Sequence, residues 1–152
     1  MSIESFISSA VHLYNNEFYD ASLCLICIAI DASSKSKYPS LKVGERYKKY
    51  VAENFRIICD KGFPGISADS VRIKLNTNID NLKPDQAGYV GMNDIIYHAI
   101  RCGLVHNCDI DKSIIFTDTT VIGDWNKDKF YLPKDIILGL INTLEKDGYH
   151  TK

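Results

Sequence analysis

Apolar positions recur at spacings of three and four through much of the chain, which is the signature of amphipathic helices. Ile3, Phe6, Ile7, Ala10, Val11 and Tyr14 predict a first helix over 3–14, and YNNEF at 14–18 breaks it. Residues 17–34, EFYDASLCLICIAIDASS, predict a second helix. It is apolar over most of its circumference, so it belongs in the middle of a bundle. Pro39 and Ser40 end the connection that follows. Val43, Tyr47, Tyr50, Val51, Phe55 and Ile58 line one side of a third helix over 42–60, and DKGFPG at 60–65 stops it.

The pattern weakens over 61–88. VRIKL at 71–75 alternates apolar and basic residues and predicts a short edge strand; the residues after it read as loop. Helical spacing returns over 90–106. SIIFT at 113–117 and KFYL at 129–132 predict two strands of a hairpin joined by a polar loop. Pro133 suits the first turn of a last helix over 133–146, and Gly148 closes it. The expected fold class is mainly α: one domain over 1–152, a bundle of about five helices with a small β-hairpin before the C-terminal helix.

The 152 residues can bury a full core without staples. Apolar residues make up 45% and charged residues 24%, which excludes a disordered tail, a collagenous repeat and a membrane bundle. Eighteen basic residues against 19 acidic give a net charge of −1, so the chain lacks the basic coat of an indiscriminate nucleic-acid binder. The longest apolar run, ASLCLICIAI at 21–30, is about half of what a membrane span needs. Five cysteines, each in or beside an apolar run, and the lack of a cationic leader give the expectation of free thiols in a reducing cytoplasm.

The fourth helix carries the chemistry. On an ideal wheel, Ile96, Ala99, Ile100 and Gly103 share the core face. Arg101 then points almost directly outward, flanked by Asp94 and Tyr97. His98 lies to one side, and His106 sits at the border of the core face. Arginine fits phosphate oxygens with two parallel hydrogen bonds, and histidine moves protons near neutral pH. The two together suit phosphodiester chemistry, with His98 and Tyr97 as further substrate contacts. A solvated arginine and a histidine at the negative end of the helix dipole account for the same residues without catalysis. Five positions do not align two side chains on one ideal helix. Either Gly103 loosens the turn or a symmetric partner completes the site.

IIYHAIRCGLVHN at 95–107, with arginine, four residues and histidine, resembles the signature of the HEPN superfamily (higher eukaryotes and prokaryotes nucleotide-binding). Upstream, ASLCLICIAIDA at 21–32 resembles the family's early apolar helix with its acidic residue, and GERYKKYVAENF at 44–55 its next helix. The resemblance implies a homodimeric helical bundle. It also implies a metal-independent endoribonuclease of the toxin or phage-defence kind, acting on RNA and partnered by an antitoxin or another protein. It gives Arg101 as phosphate holder and His106 as acid–base group at the dimer interface, where two copies form one composite site, and Asp31 as the residue that orients them; no cofactor or metal is implied. Active members place a polar residue, often Asn, after the arginine, where this chain has Cys102. That departure favours the alternative of a non-catalytic nucleic-acid-binding or protein-interaction module.

Other features have plainer readings. Cys24-x-x-Cys27 has redox spacing but lies inside an apolar helix with no turn before it, whereas a low-pKa thiol needs a helix N-terminus or a nearby cation, so packing is preferred. A zinc site from Cys102, His106 and Cys108 lacks a second ligand pair. Lys35, Lys37, Lys42, Arg46, Lys48 and Lys49 face only Glu45 in their stretch, with Tyr38 and Tyr47 among them. A solvated helix face is the simpler account. If RNA binds, Lys48 and Lys49 are the expected contacts outside the motif. Trp125 is expected to pack in the hairpin or to touch a partner.

Overall fold

A computed structural model describes residues 2–126 and 128–151, and the backbone alone for 124–126. The most apolar helix of the sequence, α2 (Tyr19–Lys37), is the centre of the molecule. It packs against α1 (Ile3–Asn15), α3 (Val43–Glu53), α6 (Cys102–Asn107) and α7 (Ile136–Lys146). Leu23, Ile26, Cys27, Ala29 and Ile30 are fully or almost fully buried along it. Its small polar residues are buried with partners: the Ser22 hydroxyl donates to the Ala10 carbonyl at 2.7 Å. The expectation of a mainly helical chain with this helix in the middle holds.

The single helix expected over 42–60 is two. The chain bends at Asn54 between α3 and α4 (Phe55–Gly62). Asn54 is 7% exposed, and its side-chain amide donates to the Tyr50 carbonyl at 2.8 Å. This bond competes with the helical backbone bonding, as asparagine commonly does. The last helix starts at Ile136, not at Pro133, because Pro133 is the final residue of a strand. Its C-terminal end is as expected. Gly148 has φ 97°, its N–H donates to Glu145, and the next N–H, of Tyr149, returns to Leu144. That is a Schellman close, with glycine at the left-handed position.

Two small sheets flank the bundle. The edge strand β1 (Arg72–Lys74) pairs antiparallel with β2 (Tyr89–Gly91), with Ile73 opposite Val90. The fourth helix therefore begins at Met92, two residues later than its spacing suggests. The second sheet contains the small antiparallel hairpin expected before the last helix, but from a different pair of strands. β3 (Ile114–Thr117) and β5 (Lys129–Pro133) do pair, but in parallel, with Ile114 opposite Phe130. The antiparallel partner of β5 is β4 (Gly123–Asn126), on its other side. Asp128, at φ 68°, supplies the left-handed residue in the tight connection from β4 to β5. The side chain of Trp125, expected in hairpin packing or at a partner, lies outside the described residues.

Candidate functional site

The fourth helix is one continuous run of three pieces: α5 (Met92–Asp94), a π-helical segment over Ile95–Arg101, and α6. A π segment bonds each N–H five residues back, so its turn is wider than an α turn. Burial follows that wider turn: Ile95 and Ile96, then Ala99, Ile100 and Arg101, then Leu104. This overturns the orientation read from an ideal wheel. Arg101 faces inward and is 7% exposed. Single π turns recur at functional sites, which makes the position of this one informative.

Arg101 is buried with a partner from the central helix. Its Nε and Nη2 donate to the same oxygen, Oδ2 of Asp31 on α2, at 2.9 and 2.5 Å. The other oxygen, Oδ1, is buried and has no hydrogen-bond partner among the described residues. The Tyr97 ring covers the guanidinium, whose Cζ lies 5.5 Å from the ring centre. Behind it stands Tyr47, 5.5 Å away ring to ring and fully buried. Gly44 gives the ring room: a Cβ at that position would meet the Tyr97 hydroxyl at 3.0 Å, a tight contact. Burial works against the charge on Arg101, and the Asp31 carboxylate more than offsets it, so the group stays above its ordinary pKa. Burial raises the Tyr97 hydroxyl as well.

The third nitrogen of Arg101 reaches the motif histidine. Nη1 lies 3.1 Å from His106 Nε2. A guanidinium has no acceptor atom and keeps its protons, so Nε2 is the acceptor of this bond. His106 is therefore neutral in this arrangement, with its proton on Nδ1. The expected difficulty of aligning two residues five apart does not arise: one chain brings Asp31, Arg101 and His106 into a single line. Gly103 has a role other than loosening the turn. Its missing Cβ admits the Asp109 carbonyl, which would stand 2.3 Å from it. The chain can fold back there because Cys108 caps α6 in the left-handed conformation, at φ 54°.

That fold-back builds one wall of an open cleft of about 510 Å³. The helix wall presents His98, Cys102 and His106, four residues apart along one face; the loop wall presents Asp80, Asp109 and Lys112. Asp111 fastens the loop wall. Its carboxylate accepts from the Ser113 N–H and hydroxyl at 2.9 and 2.7 Å and from the Asp80 N–H at 3.2 Å. His106 is exposed at the cleft, whereas Arg101 lies behind it. His98 is half-buried. Burial lowers its pKa, nearby Lys48 lowers it further, and Asp94 partly opposes them.

The remaining expected contacts divide. Lys48 bridges to Asp94 at 3.2 Å and stands near His98. Lys49 is turned elsewhere: it pairs with Glu53 at 3.8 Å and lies 4.8 Å over the Tyr38 ring. Lys37 is likewise engaged, with Asp147 and the Tyr50 ring. Three of the six cations of the basic stretch, Lys37, Lys48 and Lys49, are thus paired, and Nε of Arg46 is buried without a hydrogen-bond partner among the described residues. Cys24 and Cys27 form no disulfide, and burial pushes the Cys27 thiol up to about 12. No group of three metal-ligating side chains is assembled among the described residues, including Cys102, His106 and Cys108. The sequence reading missed the loop wall, because Asp80 and Asp109 are brought together only by folding. It also left Cys102 out of the site, although the four-residue spacing from His98 and to His106 marks it.

A family profile matches residues 2–144, from the first helix into the last. The chain belongs to the Rv1289 family. Two curated relatives are the uncharacterized protein Rv1289 of Mycobacterium tuberculosis and the uncharacterized protein Mb1320 of Mycobacterium bovis. Each is 23% identical over 145 residues, covering 93% of this chain and 68% of the relative. No solved structure matches. The span that carries the Rv1289 family resemblance includes Asp31, Arg101, His106 and both walls of the cleft.

Proposed function

We propose that this chain is a HEPN-type endoribonuclease whose working centre is Asp31, Arg101 and His106. The observation that carries the reading is the 3.1 Å contact between Arg101 and His106, held by Asp31 and opening on the cleft. A phosphate entering the cleft competes for the Nη1 donor, since arginine pairs more strongly with an anion than with a neutral imidazole. Nε2 of His106 is then free to take a proton, and the resulting cation lies beside the phosphate. In the reaction the 2′-hydroxyl gives its proton to a general base as its oxygen attacks phosphorus. The bond to the 5′-oxygen breaks, and that oxygen takes a proton from His106. The products are a 2′,3′-cyclic phosphate and a 5′-hydroxyl. Arg101 stabilises the charge that develops on phosphorus.

On this reading the chain acts in the cytoplasm as a homodimer, needs no metal, and has an antitoxin or another protein as its partner. No described helix is long and apolar enough to cross a membrane. The test is incubation of mixed RNA with the wild type, Arg101→Ala and His106→Ala, with chelator present and with light scattering to give the mass. Cleavage to cyclic phosphate by a dimer, lost in both variants, is expected. Cleavage that survives both changes removes the reading.

A second reading, a non-catalytic RNA-binding or protein-interaction module on the same fold, is favoured by one observation. The Arg101 side chain is 8% exposed, and its donors are already engaged by Asp31 and His106. RNA retained but never cut by the wild type would select it.

A further inference from the structure

A single histidine cannot take the 2′-hydroxyl proton and give one to the 5′-oxygen in the same displacement, so the reaction needs a second proton-transfer group. The cleft contains one. His98 and His106 line the same wall, eight residues apart on one helix. Both side chains line the cleft, His98 from the π segment and His106 from the α turns that follow it. We propose that His98 is the general base of the cleavage reaction and His106 the general acid, both from one subunit. This rests on the ribonuclease reading above and deepens it.

Three observations assign the roles in this order. When phosphate takes the Nη1 donor of Arg101, the freed Nε2 of His106 is protonated beside an anion, which gives the imidazolium an acid requires. His98 makes no hydrogen bond to another described residue; its ring packs edge-to-face with Tyr97, 4.8 Å between centres. Its charged neighbours are Lys48 from α3 and Asp94 from α5. Half-burial and Lys48 together favour the neutral ring, which has the free lone pair a base requires.

The step balances without a further reactant. The proton of the 2′-hydroxyl goes to His98, the O2′–P bond forms as the P–O5′ bond breaks, and the proton on His106 goes to O5′. After product release His98 gives its extra proton to water and His106 takes one up.

Two kinds of substrate separate the roles: ribodinucleotides, and ribonucleoside 3′-(4-nitrophenyl phosphates) of all four bases. The nitrophenolate leaves without a proton, so it needs a base but no acid. His98→Gln and His98→Asn are expected to lose about 10²- to 10⁴-fold on both substrates. His106→Gln is expected to lose as much on dinucleotides and little on the nitrophenyl esters. Added imidazole is expected to restore part of the nitrophenyl rate to His98→Ala, a readout independent of how well the variant folds. Wild-type rates in the His98 variants, or loss on dinucleotides alone, overturn the assignment while leaving the ribonuclease reading intact. A wild type that cleaves neither substrate overturns both.

Discussion

Asp31 Oδ2 receives both Nε and Nη2 of Arg101 across 70 residues of sequence, at 2.9 and 2.5 Å. The side chains are 18% and 8% exposed, so this is an ion pair taken largely out of water. Removing one member of such a pair strands the other charge. Asp31→Ala is therefore expected to destabilise the protein by about 3 kcal/mol in urea unfolding. Adding Arg101→Met to that change removes the stranded cation and recovers most of the loss. An unfolding midpoint that Asp31→Ala leaves in place contradicts the pairing.

The pair also shows which parts of the fold were legible in the sequence. The apolar run through Ile30 marks α2 as the central helix by itself, because burial on all sides requires apolar residues on all sides. That Asp31 meets Arg101 depends on which face of the fourth helix Arg101 occupies, and an ideal α wheel gives that face wrongly. The wider turn leaves a trace: Ile95, Ile100 and Leu104 are buried at spacings of five and four. The parallel pairing of β3 with β5 is less readable. It depends on β4, whose Gly123 and Asp124 open the strand without the alternation that marks strands elsewhere. Asp80 reaches the cleft through the carboxylate of Asp111, a contact over 31 residues that no local pattern encodes.

Gly139 sits where α7 crosses α4. A Cβ there would stand 2.4 Å from the Ile58 carbonyl and 2.9 Å from the Cα of Gly62. Alanine is the better helix former by about 1 kcal/mol, so propensity alone favours Gly139→Ala. The clash is with backbone, which cannot turn aside as a side chain can. Gly139→Ala is expected to lower stability by about 1–3 kcal/mol despite the propensity gain. A raised melting temperature would show that the crossing is looser than this.

The five thiols are expected to react in an order set by burial. Cys108 is exposed, Cys24 and Cys102 are half-buried, and Cys27 and Cys59 are buried. Burial pushes Cys27 up to about 12, so at neutral pH it has almost no thiolate as well as no access. Timed alkylation read by mass spectrometry should label Cys108 first, and Cys27 and Cys59 only after unfolding. Early labelling of Cys27 would contradict its place in the core.

The bond from Arg101 to His106 fixes which imidazole nitrogen carries the proton. Long-range ¹H–¹⁵N spectra of the wild type above neutral pH should show His106 as the Nδ1–H form. Arg101→Ala removes the donor and should release the ring to a mixture of tautomers. If the wild type already shows that mixture, the contact does not persist in solution.

His98 supplies a pH dependence whose sign follows from its surroundings. Burial, and then Lys48, lower its pKa from the ordinary histidine value, with Asp94 opposing. The unfolded chain therefore binds a proton in a range where the folded chain does not. Stability rises with pH across that window. This contribution is fully present above the ordinary histidine pKa and is lost as pH falls through the lowered one. The ¹H shift of the His98 ring, followed against pH, should give a midpoint below the unperturbed value near 6.5. Lys48→Met should move that midpoint up and Asp94→Asn should move it down. The first change should also flatten the rise in stability between about pH 5 and 7, the range where histidine charge commonly changes. A midpoint at or above the unperturbed value would mean that water reaches the ring more freely than its half-buried place beside Tyr97 allows.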